Sequence, residues 1–401
     1  MFFLKYKRWK IYISNKRMQE EQEGGKYHTE LKLVNSGTFG CIYNPSMNCN
    51  GDIGSDRYIT KIQKNDRTIK HELETSDKIR KIHGYTRFFA PVLKSCDVRI
   101  SKDRLKDLKK CEVFEKESVE TIKETEYVSM KIRYVGDNDL KKHLFSKKNQ
   151  SDFLNEVWKT HIHILKGIYK LFANKIVHYD LKYNNIILDN SKKTPIIIDF
   201  GQSWSVDKLE TEKEISAAFF VFDQYDYWCI DILICNYIIQ KIGFNDAKNI
   251  MVTEAEIDNI YDVFVYGREP KYEPNSENTK KLILNDAFRY GILHNPQKMY
   301  DFKGVIHEYI NPFINKKTWW ELYEDLLKCA NTWDCYSIAI IYLNMLDDVF
   351  INNPNVYNNM LKISDGRLQR YVELMEMIVY SSPKNRPSIA TVLKEIDNIS
   401  K

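Results

Sequence analysis

The chain has 401 residues, 43% apolar, 13% aromatic and 29% charged, a globular composition that excludes wholesale disorder and a single minimal domain. Its 60 basic and 55 acidic residues leave a net charge of +5, and the two signs are interleaved, so a nucleic-acid-coating surface is not indicated. No stretch approaches the ~18–20 uncharged apolar residues of a membrane span, and the eight cysteines contain no C-x-x-C pair and no zinc-ligand spacing, which makes reduced thiols in a cytosol-like compartment the expectation.

Residues 1–26 join a short apolar start, Met1–Leu4, to Lys5, Lys7, Arg8 and Lys10. The apolar run is too short for a signal-peptide core, and the segment is expected to be a basic, poorly ordered leader. From Tyr27 to about Val135 the pattern is strand-like. Leu31–Val34 and Cys41–Tyr43 flank a glycine turn, and Tyr58–Ile62, Ala90–Lys94, Val113–Phe114 and Tyr127–Tyr134 read as further strands. One helix interrupts them at Arg67–His83, where Ile69, Leu73, Ser76 and Ile79 fall on one side. Ser101–Lys110 is charged and reads as a solvated loop.

From Leu140 onward helices dominate. Asp152–Asn174 repeats apolar residues at three- and four-residue intervals and predicts a long, largely buried helix. Ile186–Leu188 and Ile196–Ile198 are short apolar runs bounded by turn residues, a pattern of paired strands. Trp333–Asp347 and Leu368–Tyr380 predict two more apolar helices. The expected architecture is α+β, a small β-rich part followed by a larger helical part.

Three local patterns carry chemistry. Asn35-Ser-Gly37-Thr-Phe-Gly40-Cys-Ile42 sits between two strands, where glycines let the backbone approach a polyphosphate. Asn35 stands at the first glycine position and tolerates positive φ, so the turn survives. A bare glycine hairpin would look similar. Lys61, flanked by apolar strand residues, is either an edge lysine with its head in water or a cleft lysine for phosphate oxygens. The second role needs a carboxylate from the following helix. Glu72 shares a face with Ile69 and Ile79 and is favoured over Glu74, which lies nearer Lys78 and Lys81.

The strongest pattern is His178-Tyr-Asp180-Leu-Lys182-Tyr-Asn-Asn185, then Asp199-Phe200-Gly201 after the next strand. Asp180 can orient and deprotonate a hydroxyl, Lys182 can neutralise a transferring phosphoryl group, and Asn185 with Asp199 offers hard oxygen ligands for Mg²⁺. Turn-forming Asp and Asn residues are the bland alternative. The glycine turn and Lys61 upstream, in that order, argue against it.

These motifs resemble those of a eukaryotic-type protein kinase, and the similarity runs from about Tyr27 to the C-terminus. The resemblance implies a two-lobed kinase-like fold, with an N-lobe over 27–135 and a C-lobe over 136–401. It makes Val34, Asn35, Ser36, Gly37, Thr38, Phe39, Gly40, Cys41 and Ile42 the phosphate-covering loop and Lys61 the third-strand lysine. Glu72 is the partner expected for that lysine. Asp139 is placed for the ribose of ATP, and Ile132–Val135 is the connection between lobes. Asp180 and Lys182 become catalytic, Asn185 and Asp199 metal ligands for Mg²⁺, and His178 a structural member of the loop. The Asp-Leu-Lys-x-x-Asn form is similar to serine/threonine kinases, which implies protein substrates with Ser or Thr acceptors.

The chain departs from the family pattern in several places. Tyr179 replaces the arginine that usually precedes the catalytic aspartate and often clamps a phosphorylated activation loop, so dependence on that switch is not expected. The Ala-Pro-Glu element is missing. Asp226-Tyr-Trp228 and Trp333-Asp334-Cys-Tyr-Ser-Ile338 both resemble the start of the central helix of the large lobe, and the second is the better match. Tyr227–Asp231 then replaces Ala-Pro-Glu, with Asp231 paired to Arg386 in Pro383-Lys-Asn-Arg386-Pro387. Residues 232–332 become an insertion, whose Trp319 and Trp320 fit a small core of its own or, less simply, a partner surface. Gly40-Cys-Ile-Tyr-Asn-Pro45 with Cys49, and Tyr225–Trp228, resemble kinases encoded by large nucleocytoplasmic DNA viruses, which implies a host-cell cytoplasmic or virion location. A pseudokinase scaffold and a small-molecule kinase on a related fold are the competing functions.

Overall fold

The computed structural model describes residues 31–37, 40–98, 100, 108, 110–266, 296–350 and 354–401. The expected leader, the turn tip at Thr38 and Phe39, and most of Ser101–Lys110 lie outside the described residues. The chain falls into two compact units, Met1–Asn65 with Lys94–Tyr134, and Asp66–Leu93 with Val135–Lys401.

In chain order the first elements are β1 (Lys32–Gly37), β2 (Gly40–Asn44), β3 (Tyr58–Lys64), α1 (Arg67–Arg80), β4 (Val92–Val98), α2 (Glu112–Glu115), α3 (Val119–Glu124) and β5 (Tyr127–Arg133). Helix α1 belongs to the second unit. The strands form one sheet in the order β1-β2-β3-β5-β4. β3 and β5 are antiparallel and in register from Tyr58↔Arg133 to Lys64↔Tyr127. The β1–β2 pairing skips a residue between Leu33 and Asn35, so Val34 forms a bulge and stands 44% exposed.

Tyr43, Ile62, Phe114 and Tyr127 build the core of this unit, with the Phe114 and Tyr127 rings 5.2 Å apart. Val113–Phe114, expected as a strand, is helical within α2. A two-residue apolar run has no periodicity to distinguish the states, and the single-turn helix is enough to bury Phe114. The cysteines overturn the reduced-thiol expectation. Cys41 is bonded to Cys111 and Cys49 to Cys96. The partners stand 70 and 47 residues apart, so the sheet, not sequence spacing, brings them together. Cys229, Cys235, Cys329 and Cys335 are free and buried, and burial raises the Cys329 thiol to about 11 and the Cys335 thiol to about 12.

The second unit continues with α4 (Leu140–Phe145), α5 (Gln150–Ala173), β6 (Ile176–Val177), β7 (Ile186–Leu188), β8 (Pro195–Ile197), β9 (Trp204–Ser205) and α6 (Glu212–Ala218). Then come α7 (Ile230–Tyr237), α8 (Glu254–Tyr266), α9 (Pro296–Ile310), α10 (Trp319–Leu327), α11 (Trp333–Phe350), α12 (Pro354–Ile363), α13 (Arg367–Tyr380) and α14 (Ile389–Ser400). Asn149 caps α5 by accepting the Asp152 amide at 2.8 Å. Val157, Trp158, Ile164, Leu165, Ile168 and Leu171 face the core. Among the described residues no helix is long and apolar enough to cross a membrane.

Among the described residues, the separate core expected for residues 232–332 is not found. Ile257, Ile260, Phe302, Trp319, Leu322 and Tyr323 join the same apolar cluster as α5, α11 and α13. Trp319 is fully buried, its ring 5.5 Å from that of Tyr237. Trp320 packs edge-on to Phe244 at 5.0 Å. Both tryptophan contacts lie within 232–332, and the segment meets the rest of the core through Tyr323, whose ring stands 5.6 Å edge-on from Phe219.

Candidate active site

Two small ladders set the site's frame in the second unit. β6 pairs with β9, Val177 opposite Trp204. β7 pairs with β8, Ile187 opposite Ile196. The intervening loop, His178–Asn185, ends in a single 3₁₀ turn at Tyr183–Asn185. The Ile198 amide donates to the Asn185 carbonyl at 2.9 Å, which fixes Asp199 at the end of the same frame.

Asp180 is the hub. Its Oδ2 accepts from Lys182 Nζ at 2.9 Å and from Asn185 Nδ2 at 3.0 Å. Its Oδ1 accepts from Lys182 Nζ at 3.2 Å and from the Tyr225 hydroxyl at 2.5 Å. Asn185 Nδ2 also reaches the Asp180 carbonyl at 2.8 Å. Burial, reinforced by the Asp180 charge, holds the Tyr225 phenol well above its ordinary pKa, so Tyr225 stays a donor. Three of the four residues expected from sequence therefore share one hydrogen-bonded cluster. Asp199 is exposed, in the left-handed region at φ 61°.

The loop is braced from below. Tyr179 adopts φ 70°, a costly conformation for a bulky side chain. Both carboxylate oxygens of Asp334, in the first turn of α11, accept its neighbourhood's amides, His178 N–H at 2.8 Å and Tyr179 N–H at 3.0 Å. Burial pushes the Asp334 carboxyl up, and those two donors oppose the shift. The His178 ring donates from Nε2 to the Ile198 carbonyl at 3.0 Å and lies 5.1 Å from Phe200, a structural placement.

The side chain of Tyr179 is fully buried. Its ring lies 4.9 Å from Trp228, 5.8 Å from Trp204 and 6.1 Å from Phe219. Asn236 Nδ2 donates to its hydroxyl at 3.0 Å, and Trp228 Nε1 donates to its carbonyl at 2.8 Å. An aromatic cage thus joins the loop to the segment between Asp199 and α7. The same segment is tied to α1: Lys78 Nζ reaches Ser205 Oγ at 2.6 Å, and Lys208 Nζ reaches Glu74 at 2.7 Å. The Lys208 bond holds the Glu74 carboxyl below its ordinary value. Glu74 is committed there, whereas Glu72 is buried at 2% exposure.

Asp139 caps α4, accepting the Lys142 amide at 2.7 Å, and Lys142 Nζ stands 3.1 Å from its other oxygen. Gly136, at φ 148°, is required by contact as well as conformation, because a Cβ there would meet the Leu188 carbonyl at 2.8 Å.

In the first unit, Lys61 is buried at 7% exposure, opposite Ile42 on β2 and Met130 on β5. Asn35 does not use positive φ. It lies in β1 opposite Ile42, and its side chain accepts the Ser36 amide at 2.9 Å. Ser36 Oγ contacts Cys111 Sγ at 3.2 Å and accepts the Glu112 amide at 3.3 Å. Gly40 is demanded by close packing, since a Cβ would meet the Ile62 carbonyl at 2.7 Å. Gly37 pairs with Gly40 across the turn. Cys41 is consumed by its disulfide.

Among the described residues no group of three or more His, Cys, Asp or Glu side chains is arranged to hold a metal by itself. Asn185 spends its amide nitrogen on Asp180, so its carbonyl oxygen and the Asp199 carboxylate would be the chain's hard-oxygen donors to a metal. This sparse hard-oxygen set fits Mg²⁺, which keeps waters and takes phosphate oxygens rather than an all-protein cage.

Sequence reasoning missed Tyr225 as a partner of Asp180, Asp334 as the brace of the loop and Asn236 as the partner of Tyr179. Trp333-Asp334 carried a signal as the start of a helix, and Tyr225 only as part of the Tyr225–Trp228 string. The chain matches the protein kinase domain family over residues 105–396, a stretch that begins downstream of the glycine turn and Lys61. No curated protein matches the chain. A match over more than half of the length, with the Asp180 loop inside it, means that the chain belongs to the protein kinase family.

Proposed function

We propose that the chain is a catalytically active serine/threonine protein kinase that uses ATP and Mg²⁺. The observation that carries this reading is the convergence of Lys182 and Asn185 on the Asp180 carboxylate at 2.9–3.2 Å. When bound, the metal nucleotide supplies the phosphoryl group and neutralises its charge. Asn185 and Asp199 would hold the metal. Lys61 would contact the phosphates, Glu72 would orient that lysine, and the residues Val34–Ile42 would cover the phosphates. Asp139 would meet the ribose through the carboxylate that caps α4.

The chain's own chemistry centres on Asp180. Its carboxylate accepts the hydrogen bond of a seryl or threonyl hydroxyl, orients the oxygen and takes the proton as the oxygen becomes nucleophilic. Lys182 keeps a positive charge beside that oxygen, where negative charge develops. Lys182 in the Asp-Leu-Lys arrangement supports Ser/Thr acceptors. The aromatic cage around Tyr179 supports a segment ordered without phosphate, because it supplies by burial what an arginine–phosphate clamp supplies by charge. The likeness of Gly40–Pro45 and Tyr225–Trp228 to kinases of large DNA viruses supports a viral source.

Transfer of radiolabelled γ-phosphate to dephosphorylated casein tests the reading. Metal-dependent labelling of serine or threonine, lost in Asp180→Asn, is expected. A folded wild type that binds nucleotide and labels neither casein nor itself favours the scaffold reading, for which the contact of Tyr225 with Asp180 is the one specific observation.

A further inference from the structure

The Asp180 carboxylate is full. Two oxygens offer about four lone-pair positions, and four hydrogen bonds already reach them, two from Lys182 and one each from Asn185 and Tyr225. An incoming alcohol therefore finds no open position on the group that must orient it. One donor has to leave.

The three donors are not equally free to do so. Lys182 lies two residues from Asp180 on the same loop. Asn185 is pinned by a second bond, to the Asp180 carbonyl at 2.8 Å. Tyr225 comes from 45 residues away, on an irregular stretch between α6 and α7. Its carbonyl accepts the Trp228 amide at 2.9 Å, so the main chain stays held when the side chain turns. Tyr225 is also the only hydroxyl donor of the three, the chemical type of the acceptor itself. Its ring is packed edge-on to Trp228 at 5.1 Å and to Tyr227 at 5.4 Å, contacts that set a cost on its departure without enclosing it.

We propose that Tyr225 is an internal mimic of the acceptor: its hydroxyl occupies the position on Asp180 that a substrate hydroxyl must take, and substrates are selected by their ability to displace it. The proposal rests on the reading of Asp180 as the base. It implies that a bare water molecule competes poorly for the position, so ATP is protected from hydrolysis until a protein acceptor binds.

The test needs no knowledge of the natural substrate. ATP hydrolysis by the full chain is measured without protein acceptor for the wild type, Tyr225→Phe, Asp180→Asn and the double variant. Tyr225→Phe keeps the ring and removes the hydroxyl, and Tyr225→Leu serves as a second variant. Thermal melting establishes that each is folded. The expected result is a rise in hydrolysis of about tenfold or more in either Tyr225 variant, in line with loss of a hydrogen bond to a charged group. The double variant returns to the level of Asp180→Asn. In casein phosphorylation, KM for casein falls while KM for ATP is unchanged. Hydrolysis at or below the wild-type level in both folded Tyr225 variants overturns the proposal and makes the phenol a positioning group for the base. Undiminished hydrolysis in Asp180→Asn overturns instead the reading of Asp180.

Discussion

Arg386 grips Asp231 through both terminal nitrogens, at 2.9 and 3.0 Å, with neither side chain exposed. Trp333 Nε1 adds a third donor to the carboxylate at 3.0 Å, and Thr332 Oγ1 accepts from the guanidinium at 2.9 Å. Burial opposes the Arg386 charge, and Asp231 outweighs it, holding the group above its ordinary pKa. The pair anchors the start of α7, and with it the preceding turn that carries Tyr225 and Trp228.

Removing one partner leaves the other as an uncompensated buried charge. Arg386→Met is expected to cost about 3–5 kcal/mol. Arg386→Met with Asp231→Leu is expected to recover most of that loss. Urea unfolding of the three variants checks this, and equal destabilisation by the single and double changes would count against the ion pair as the cause.

Lys182 touches both oxygens of Asp180, and on the proposed reading its charge stands beside the acceptor. Lys182→Met is expected to lower kcat by about 10²–10³-fold, the range for removal of one electrostatic donor, with KM for ATP much less affected. Steady-state kinetics on casein separates the two parameters.

The Tyr179 cage predicts independence from activation-segment phosphate. Phosphatase treatment of the purified chain is expected to leave kcat unchanged. Tyr179→Phe removes only the bond to Asn236 and is expected to cost about 1–3 kcal/mol with activity retained. Tyr179→Ala empties an aromatic site and is expected to cost about 3–5 kcal/mol. A large loss of kcat after dephosphorylation would refute the independence.

His161 predicts an acid limb of stability. It is fully buried, stacked 4.3 Å from Tyr342, with Nδ1 2.6 Å from the Tyr371 hydroxyl. Burial lowers its pKa from 6.5 to about 3. The folded state thus holds it neutral while the unfolded state binds a proton below pH 6.5. Its contribution is fully present above pH 6.5 and is lost as pH falls toward 3. At pH 5 the loss is about 2 kcal/mol, at 1.36 kcal/mol per unit. Denaturant midpoints between pH 7.5 and 5 should fall in the wild type and fall less steeply in His161→Phe.

The two disulfides predict sensitivity of the first unit to reductant. Each closes a long loop, and loss of a native bridge costs about 2–5 kcal/mol. Dithiothreitol is expected to lower the melting temperature and, because Ser36 and Cys41 both contact Cys111, to raise KM for ATP. Cys41→Ser with Cys111→Ser should reproduce the effect and abolish further response at that bridge.

Local pattern settled much of this protein in advance. The Asp180, Lys182 and Asn185 cluster spans six residues, so one tight loop is enough to assemble it, and sequence order dictates the outcome. The long helix α5 and the β7–β8 pair follow from apolar periodicity and turn residues for the same reason. Arg386 and Asp231 were legible through family resemblance. Val113–Phe114 was not, because two apolar residues fit a strand or a helical turn equally.

The tertiary structure alone decided which cysteines pair, where residues 232–332 bury their tryptophans, and what touches the Asp180 carboxylate from outside its loop. Tyr225 lies far along the chain from Asp180, and Asp334 farther still from Tyr179. No local propensity encodes such contacts. They exist because packing one common core leaves buried polar groups that must find partners, and the fold chooses those partners by proximity in space rather than in sequence.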